Sequence, residues 1–315
     1  MAGSTQRPGR RAAGVELAAA GPLHLEATAR VLQRRPGNRV DRWENGRYLR
    51  VFETPAGRVL VAVQNLGSVS APALRCAFPA GATGAERREV VPAVRRALGL
   101  DLDPAPLEQA RCSHPALAAA TAGLRGMRPP RFGGLFEAFA GVVPFQQVSI
   151  DAGIAIVGRL VERFGTCLTH DGGRYYAFPT AERVADARLD RLRACGLSAR
   201  KAETLRALAR LVAAGEVSEA GLEALPSTEA IAVLCELPGI GPWSAALVLL
   251  RGLGRLDVFP PGDVGARRAL RALLDLAADA DVEAVMERFG ALRGYVYFCG
   301  LGSALLRRGL IEPSA

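Results

Sequence analysis

Apolar and polar residues alternate along Leu23–Val31 and again along Tyr48–Phe52, and Thr54-Pro55-Ala56-Gly57 then leads into the apolar run Val59–Val63. Alternation of period two broken by a Pro/Gly turn predicts strands joined by a hairpin, and the whole stretch from Pro22 to about Phe78 reads this way. Between Glu86 and Leu98 the spacing changes: Val90, Val91, Val94 and Leu98 fall on one face of a helix. The front of the chain is therefore expected to be an antiparallel sheet with a helix across it. From Pro104 helical spacing takes over, with candidates at about 104–111, 114–124, 133–144, 146–165, 180–195, 199–214, 218–224, 227–236, 242–253, 262–276, 281–288 and 291–309. Ile154, Ile156, Val157, Leu160, Val161 and Phe164 show the clearest apolar face. Short helices with Gly- or Pro-bearing joints and no fixed-period repeat point to a compact bundle. The expected class is α+β, with a small N-terminal antiparallel sheet and helix followed by a mostly helical bundle that contains a helix-hairpin-helix. Its parts are a disordered tail at 1–14, an α+β domain at 15–112 and a helical region at 113–315.

Composition narrows the range of functions. The formal net charge of +9 and pI of about 9.8 suit a polyanionic partner, since basic side chains gain affinity by releasing counterions from phosphates. The six cysteines lack CxxC spacing, and the three histidines (His24, His114, His170) lie far apart. No zinc site, iron–sulfur site or disulfide framework follows from such a pattern. Residues Val15–Ala20 are too interrupted for a signal peptide, and no segment has the length and purity of a membrane span. A cytoplasmic, nucleoid-associated monomer with no membrane contact is the expectation.

The stretch Leu237-Pro238-Gly239-Ile240-Gly241-Pro242-Trp243 carries the most specific signal. Ser227-Thr228-Glu229 is a capping signature for the helix before it, and Pro238 stops that helix. Gly239 and Gly241 allow unusual backbone angles or close approach, and Pro242 sits well at a helix start. Such a turn exposes backbone N–H groups at a helix N-terminus, where they and the helix dipole bind a phosphate without reading sequence. An ordinary αα-hairpin would use similar turn chemistry. The DNA-binding candidates here are Leu237, Gly239, Ile240, Gly241 and Ser244.

Phe259-Pro260-Pro261-Gly262-Asp263 follows, leading into a helix with Arg267, Arg268 and Arg271. Asp263 is a natural N-cap. A rigid Pro/Gly loop beside a phosphate-binding hairpin would also aim this carboxylate into the adjacent cleft. Cleavage of an N-glycosidic bond develops oxocarbenium-like charge on the sugar. A carboxylate beside it can stabilise that charge and orient or deprotonate the attacking water. Asp263 is the catalytic candidate, and nearby Asp257 is expected to cap or to face solvent.

Taken together, the hairpin, the Gly/Pro-rich loop and Asp263 resemble the superfamily of base-excision glycosylases named for those three features. The strand-rich front half resembles one branch, DNA-3-methyladenine glycosylase II. So do Val143-Pro144-Phe145-Gln146-Gln147-Val148-Ser149, like that branch's helix start facing the base pocket, and Cys195–Ala202 leading into Leu205 and Leu208. The resemblance implies flipping of a damaged nucleotide out of double-stranded DNA and hydrolysis to an abasic site. It also implies a monovalent ion held by backbone carbonyls of the hairpin, and no other cofactor. Bifunctional branches place a lysine nucleophile just after the hairpin glycines; Trp243 stands there instead, which implies a monofunctional enzyme without lyase activity. Trp243 is read either as stacking near the base or as a core aromatic, and Gln146 either as a partner of the base or as a helix-surface glutamine.

The methyladenine branch lines its pocket with aromatics suited to cationic alkylated bases. Leu247, Val264 and Leu301 occupy those positions here, with Tyr295, Tyr297 and Phe298 close to the last of them. Gln147 falls where the resemblance implies an apolar wedge for the gap left by the flipped base. The expected substrate is an alkylated base. The alternatives are a different lesion, such as a deaminated base, and a DNA-binding protein that keeps the hairpin without turnover.

Overall fold

The protein is described by a computed structural model covering residues 14–314. The tail expected at 1–14 lies outside them, apart from Gly14, which opens the first strand. Five strands, β1 (Gly14–Leu17), β2 (Arg42–Glu44), β3 (Arg47–Thr54), β4 (Gly57–Asn65) and β5 (Leu74–Ala77), form an antiparallel sheet in the order β1-β5-β4-β3-β2. Thr54 pairs with Gly57 across the β3–β4 turn where the Pro/Gly signal predicts it. Helix α1 (Leu25–Gln33) precedes β2. A capping box joining Thr83 and Glu86 starts the helix over this sheet, α2 (Gly84–Ala97), and Val90, Val94 and Ala97 bury against the sheet's apolar face.

The alternation of Leu23–Val31 predicts a strand where α1 stands. Packing explains the misreading. Leu25, Ala29 and Leu32 face the core under the sheet, whereas Ala27 and Val31 face the core of the helical region. Each set repeats every three or four residues, as a helix requires. Two such stripes offset by two residues add up to an apparent period of two. His24 caps the helix, its Nδ1 accepting from the Ala27 N–H at 3.3 Å.

Helices dominate the remainder: α3 (Pro104–Cys112), α4 (Pro115–Ala120), α5 (Leu135–Ala140), α6 (Ile150–Phe164), α7 (Ala181–Ala185), α8 (Leu189–Arg193), α9 (Ala199–Ala213), α10 (Glu219–Glu223), α11 (Ser227–Cys235), α12 (Pro242–Val248), α13 (Val264–Leu274), α14 (Val282–Glu287) and α15 (Arg293–Leu306). The α+β class is thus the observed one. The single helix expected at 180–195 divides into α7 and α8. That expected at 146–165 starts only at Ile150, where Ser149 caps it by accepting from Ala152 N at 3.2 Å. Helical spacing also passes over a second hairpin, β6 (Cys167–His170) with β7 (Gly173–Tyr176). Its signal is Asp171-Gly172, both at positive φ (46° and 73°) as a tight hairpin turn needs, between strands too short to show a period.

Buried arginines join the sheet unit to the helical unit. Arg50 on β3 is enclosed by Asp41, at 3.0 Å, and Glu137 on α5, and Asp41 also accepts from the Tyr48 hydroxyl at 2.8 Å. Burial pushes the Glu137 carboxyl up, and the facing guanidinium pulls it back. Arg251 stacks its guanidinium 4.7 Å above the Phe132 ring. Replacing Arg50 by Met would leave two carboxylates buried without their counter-ion. Chemical denaturation should show a loss of about 3–5 kcal/mol, the scale for breaking a buried ion pair on one side.

Candidate active site

Helix α11 and helix α12 are the arms of the hairpin. Pro226 caps α11 without a side-chain hydrogen bond, contrary to the capping role expected of Ser227-Thr228-Glu229. Ser227 is buried instead, its hydroxyl accepting from Arg255 at 3.2 Å, so it serves the helical core. In the turn, Gly239 has φ +72°, and a Cβ there would meet Thr204 Oγ1 at 2.6 Å. Ile240 turns its side chain into the core, and its N–H closes the turn onto Leu237 O at 3.2 Å. Neither group of Ile240 is free for DNA, whereas Gly239 is exposed and Gly241 half-buried. The amides of Trp243 and Ser244, in the first turn of α12, have no intrahelical acceptor. The Leu237 and Gly239 carbonyls each accept one hydrogen bond, from Ile240 N and Gln146 Nε2, which leaves each a second lone pair. An all-oxygen backbone set of this kind suits the monovalent ion that the resemblance implies. Among the described residues no cluster of His, Cys, Asp or Glu could hold a metal.

Beyond a π-helical turn at Leu249–Leu253 the chain returns through the Pro/Gly loop. Gly262, at φ +71°, donates its N–H to Glu283 Oε1 at 3.1 Å, and Arg267 grips the same carboxylate at 2.5 Å. Glu283, which no sequence motif marks, therefore fixes the loop from α14. Asp263 ends it. Its Oδ1 caps α13 by accepting from Ala266 N at 2.8 Å, and its Oδ2 accepts from Trp243 Nε1 at 3.0 Å. The helix-cap reading and the cleft-facing reading of Asp263 describe the same side chain. Trp243, half-buried, is held edge-on to this carboxylate.

Both segments open onto one cleft of about 1050 Å³. Its lining includes Arg34, Arg35, Arg200, Lys201, Arg251 and Arg308, but among the described residues only one carboxylate, Asp263. Burial, and then the charge of Arg34, push the Arg251 guanidinium down to about 10. Every residue assigned from sequence to the base pocket reaches this cleft: Trp243, Gln146, Leu247, Val264 and Leu301. Val264 is 69% exposed and stands at the rim, whereas Leu247 is buried. Tyr297 also lines the cleft; Tyr295 and Phe298 pack into the helical core instead. Gln147, Gly239, Gly241 and Ser244 border it, and Leu237, Ile240 and Asp257 do not. Gln146 is neither idle nor free, since its Nε2 donates to Gly239 O at 2.9 Å and to Ser244 Oγ at 3.0 Å. The sequence reading missed Lys201, whose ammonium donates to Pro144 O at 3.1 Å and to Gln146 O at 2.6 Å, and Arg34 and Arg35, which α1 brings in from the sheet side of the molecule.

A glycine hairpin with free amides beside a cation-lined cleft defines the class: a helix-hairpin-helix protein, whose hairpin chemistry suits a phosphate. Comparison with known proteins gives the family. The model of the HhH-GPD superfamily base excision DNA repair protein matches residues 140–293, and that of the AlkA N-terminal domain matches residues 14–133. A DNA-3-methyladenine glycosylase of Bacillus subtilis is 29% identical over 202 residues, 64% of this chain and 67% of the relative. A probable bifunctional transcriptional activator/DNA repair enzyme AlkA of Mycobacterium tuberculosis is 35% identical over 182 residues, 57% of this chain but only 35% of that longer protein. The solved 3-methyladenine DNA-glycosylase from Archaeoglobus fulgidus superposes with a TM-score of 0.77 at 27% identity, covering 94% of this chain and 98% of that one. The chain belongs to the HhH-GPD superfamily of base excision DNA repair proteins, as a DNA glycosylase.

The two hairpin glycines should respond differently to alanine. Gly239→Ala places a Cβ at positive φ and against Thr204, at a cost of about 1–3 kcal/mol in denaturant unfolding. Gly241 has φ −110°, and no atom lies within 4 Å of where its Cβ would stand. Gly241→Ala should therefore cost no more than about 1 kcal/mol, the scale of a less favourable N-cap. Its added methyl group would stand on the cleft border, and fluorescence anisotropy should show weaker duplex binding.

Proposed function

We propose that the protein flips a damaged base from duplex DNA into this cleft and hydrolyses its N-glycosidic bond, with Asp263 as the catalytic carboxylate and no lyase step. The observation that carries this reading is the position of Asp263. Among the described residues it is the one carboxylate lining a cleft otherwise ringed by cations, and two hydrogen bonds fix its orientation. As the base departs with the bonding electron pair, positive charge spreads over the sugar, and the carboxylate lies ready to stabilise it. Water adds to the anomeric carbon and gives up a proton, which Asp263 can accept, leaving an abasic sugar and the free base. Trp243, Leu247, Leu301 and Gln146 enclose the base, with Val264 at the rim. The free amides of Trp243 and Ser244 at the start of α12 take the phosphate, and Gln147 enters the gap in the stack. The surrounding arginines neutralise phosphates as the enzyme meets chromosomal DNA.

Where the amines stand supports hydrolysis without lyase chemistry. Trp243 occupies the place after the hairpin glycines, and the ammonium of Lys201, the chain's single lysine, donates to Pro144 O at 3.1 Å and Gln146 O at 2.6 Å. An alkylated base is the substrate that the names of the relatives support. Leu247, Val264 and Leu301, in place of ring faces, favour a second reading, a neutral deaminated base.

Incubation with duplexes carrying methylated, deaminated or oxidised bases, scored as abasic sites, decides between these. Release of the methylated base supports the first reading and release of the deaminated base alone supports the second; no release from any duplex leaves a DNA-binding protein without turnover. Asp263→Asn should remove base release while keeping duplex affinity; Asn still caps α13, but its NH2 cannot accept from the Trp243 indole, at a cost of about 1–3 kcal/mol in stability. Unchanged release would take Asp263 out of the mechanism. Borohydride should trap no protein–DNA adduct, and an adduct lost on replacing Lys201 would establish a lyase step.

A further inference from the structure

The lip of the cleft is the loop between the 3-10 turn Val143–Phe145 and α6, and it holds an unusual shape. Gln147 has φ +55°, in the left-handed region that non-glycine residues leave unless something holds them there, and it is exposed together with Val148 and Ile150. The holding group is on another element. Lys201, in the first turn of α9, sends its ammonium to two carbonyls on either side of Phe145: Pro144 O at 3.1 Å and Gln146 O at 2.6 Å. Gln146 O belongs to the peptide that leads into Gln147. The side chain of Gln146 then runs on to Gly239 O and Ser244 Oγ in the hairpin, at 2.9 and 3.0 Å. Hydrogen bonds thus connect α9, the lip and the hairpin in one chain.

We propose that Lys201 is a positioning residue, clamping the lip so that Gln147 and Val148 project into a gap in the base stack while the hairpin holds the phosphate. The proposal rests on the base-flipping reading above. An ammonium suits the task because it carries three donors and can serve both carbonyls at once. With the clamp gone, neither carbonyl keeps its charged donor and Gln147 is free to relax to negative φ. The hairpin itself keeps its glycine turn and helix N-terminus, so the grip on undamaged DNA survives.

The test uses the full chain with a duplex that carries a tetrahydrofuran abasic analogue beside 2-aminopurine, compared with the intact duplex. The wild-type protein should prefer the abasic duplex and raise 2-aminopurine fluorescence as the lip enters the stack. Lys201→Met should keep intact-duplex affinity and melting temperature but lose about tenfold in that preference, the scale of one charged hydrogen bond, together with the fluorescence rise. Lys201→Arg, whose fork can reach both carbonyls, should restore most of both. Lys201→Gln keeps one donor bond and should fall between, and it supplies the reading if the methionine variant does not fold. Full preference and fluorescence in Lys201→Met would overturn the proposal. So would parallel loss of affinity for both duplexes, which makes Lys201 a phosphate contact, or a Lys201→Arg variant as impaired as the methionine one. Because the analogue has no base to release, a failure to excise any base would remove the proposed reaction and leave this binding readout intact.

Discussion

Asp263 divides its two carboxylate oxygens between two helices, one on the Ala266 N–H at the start of α13 and the other on the indole N–H of Trp243 in α12. That division ties the hairpin to the Pro/Gly loop across the mouth of the cleft, and it leaves the carboxylate no freedom to turn away. A carboxylate held by one cap bond alone could still rotate about its side-chain bond. With both oxygens occupied it faces the cleft in one orientation, and the charge it would offer to a developing cation is in place beforehand. Glu283 adds a brace from behind, through Gly262 and Arg267.

The sheet unit matters to this cleft more than its distance along the chain suggests. Helix α1 contributes to both hydrophobic cores, and the chain at its C-terminal end brings Arg34 and Arg35 to the cleft. Enclosed charges reinforce that junction: Arg50 with Asp41 and Glu137, and Arg251 over Phe132. Buried charges tolerate few alternative arrangements, because each lost partner leaves a desolvated charge behind. A cleft built across two packed units thus keeps a defined width.

Most of the helical region was legible in the sequence, because amphipathic spacing and Gly/Pro punctuation are local signals. Two elements were not. Helix α1 is buried on two faces, and its two stripes sum to an alternating pattern that no local rule separates from a strand. The β6–β7 hairpin carries an Asp-Gly turn, but strands of four residues are too short for periodicity to register. Among site residues the same division holds. Gly239 and Asp263 announce themselves through motifs, whereas Glu283, Lys201 and Arg34 act through partners 16 or more residues away in the chain, as the Arg267–Glu283 pair illustrates.

The hairpin, its glycine turn and the carboxylate at the end of the Pro/Gly loop were settled by the order of residues alone, because backbone permissiveness, proline geometry and helix capping are properties of neighbouring residues. What those groups face was left to the packing of the whole chain. Trp243 sets its indole N–H on a carboxylate, Ile240 belongs to the core, and Gln146 spans from the lip to the hairpin. Each of these outcomes depends on which side chain from a distant segment arrives within hydrogen-bond reach, and chain spacing carries no record of that.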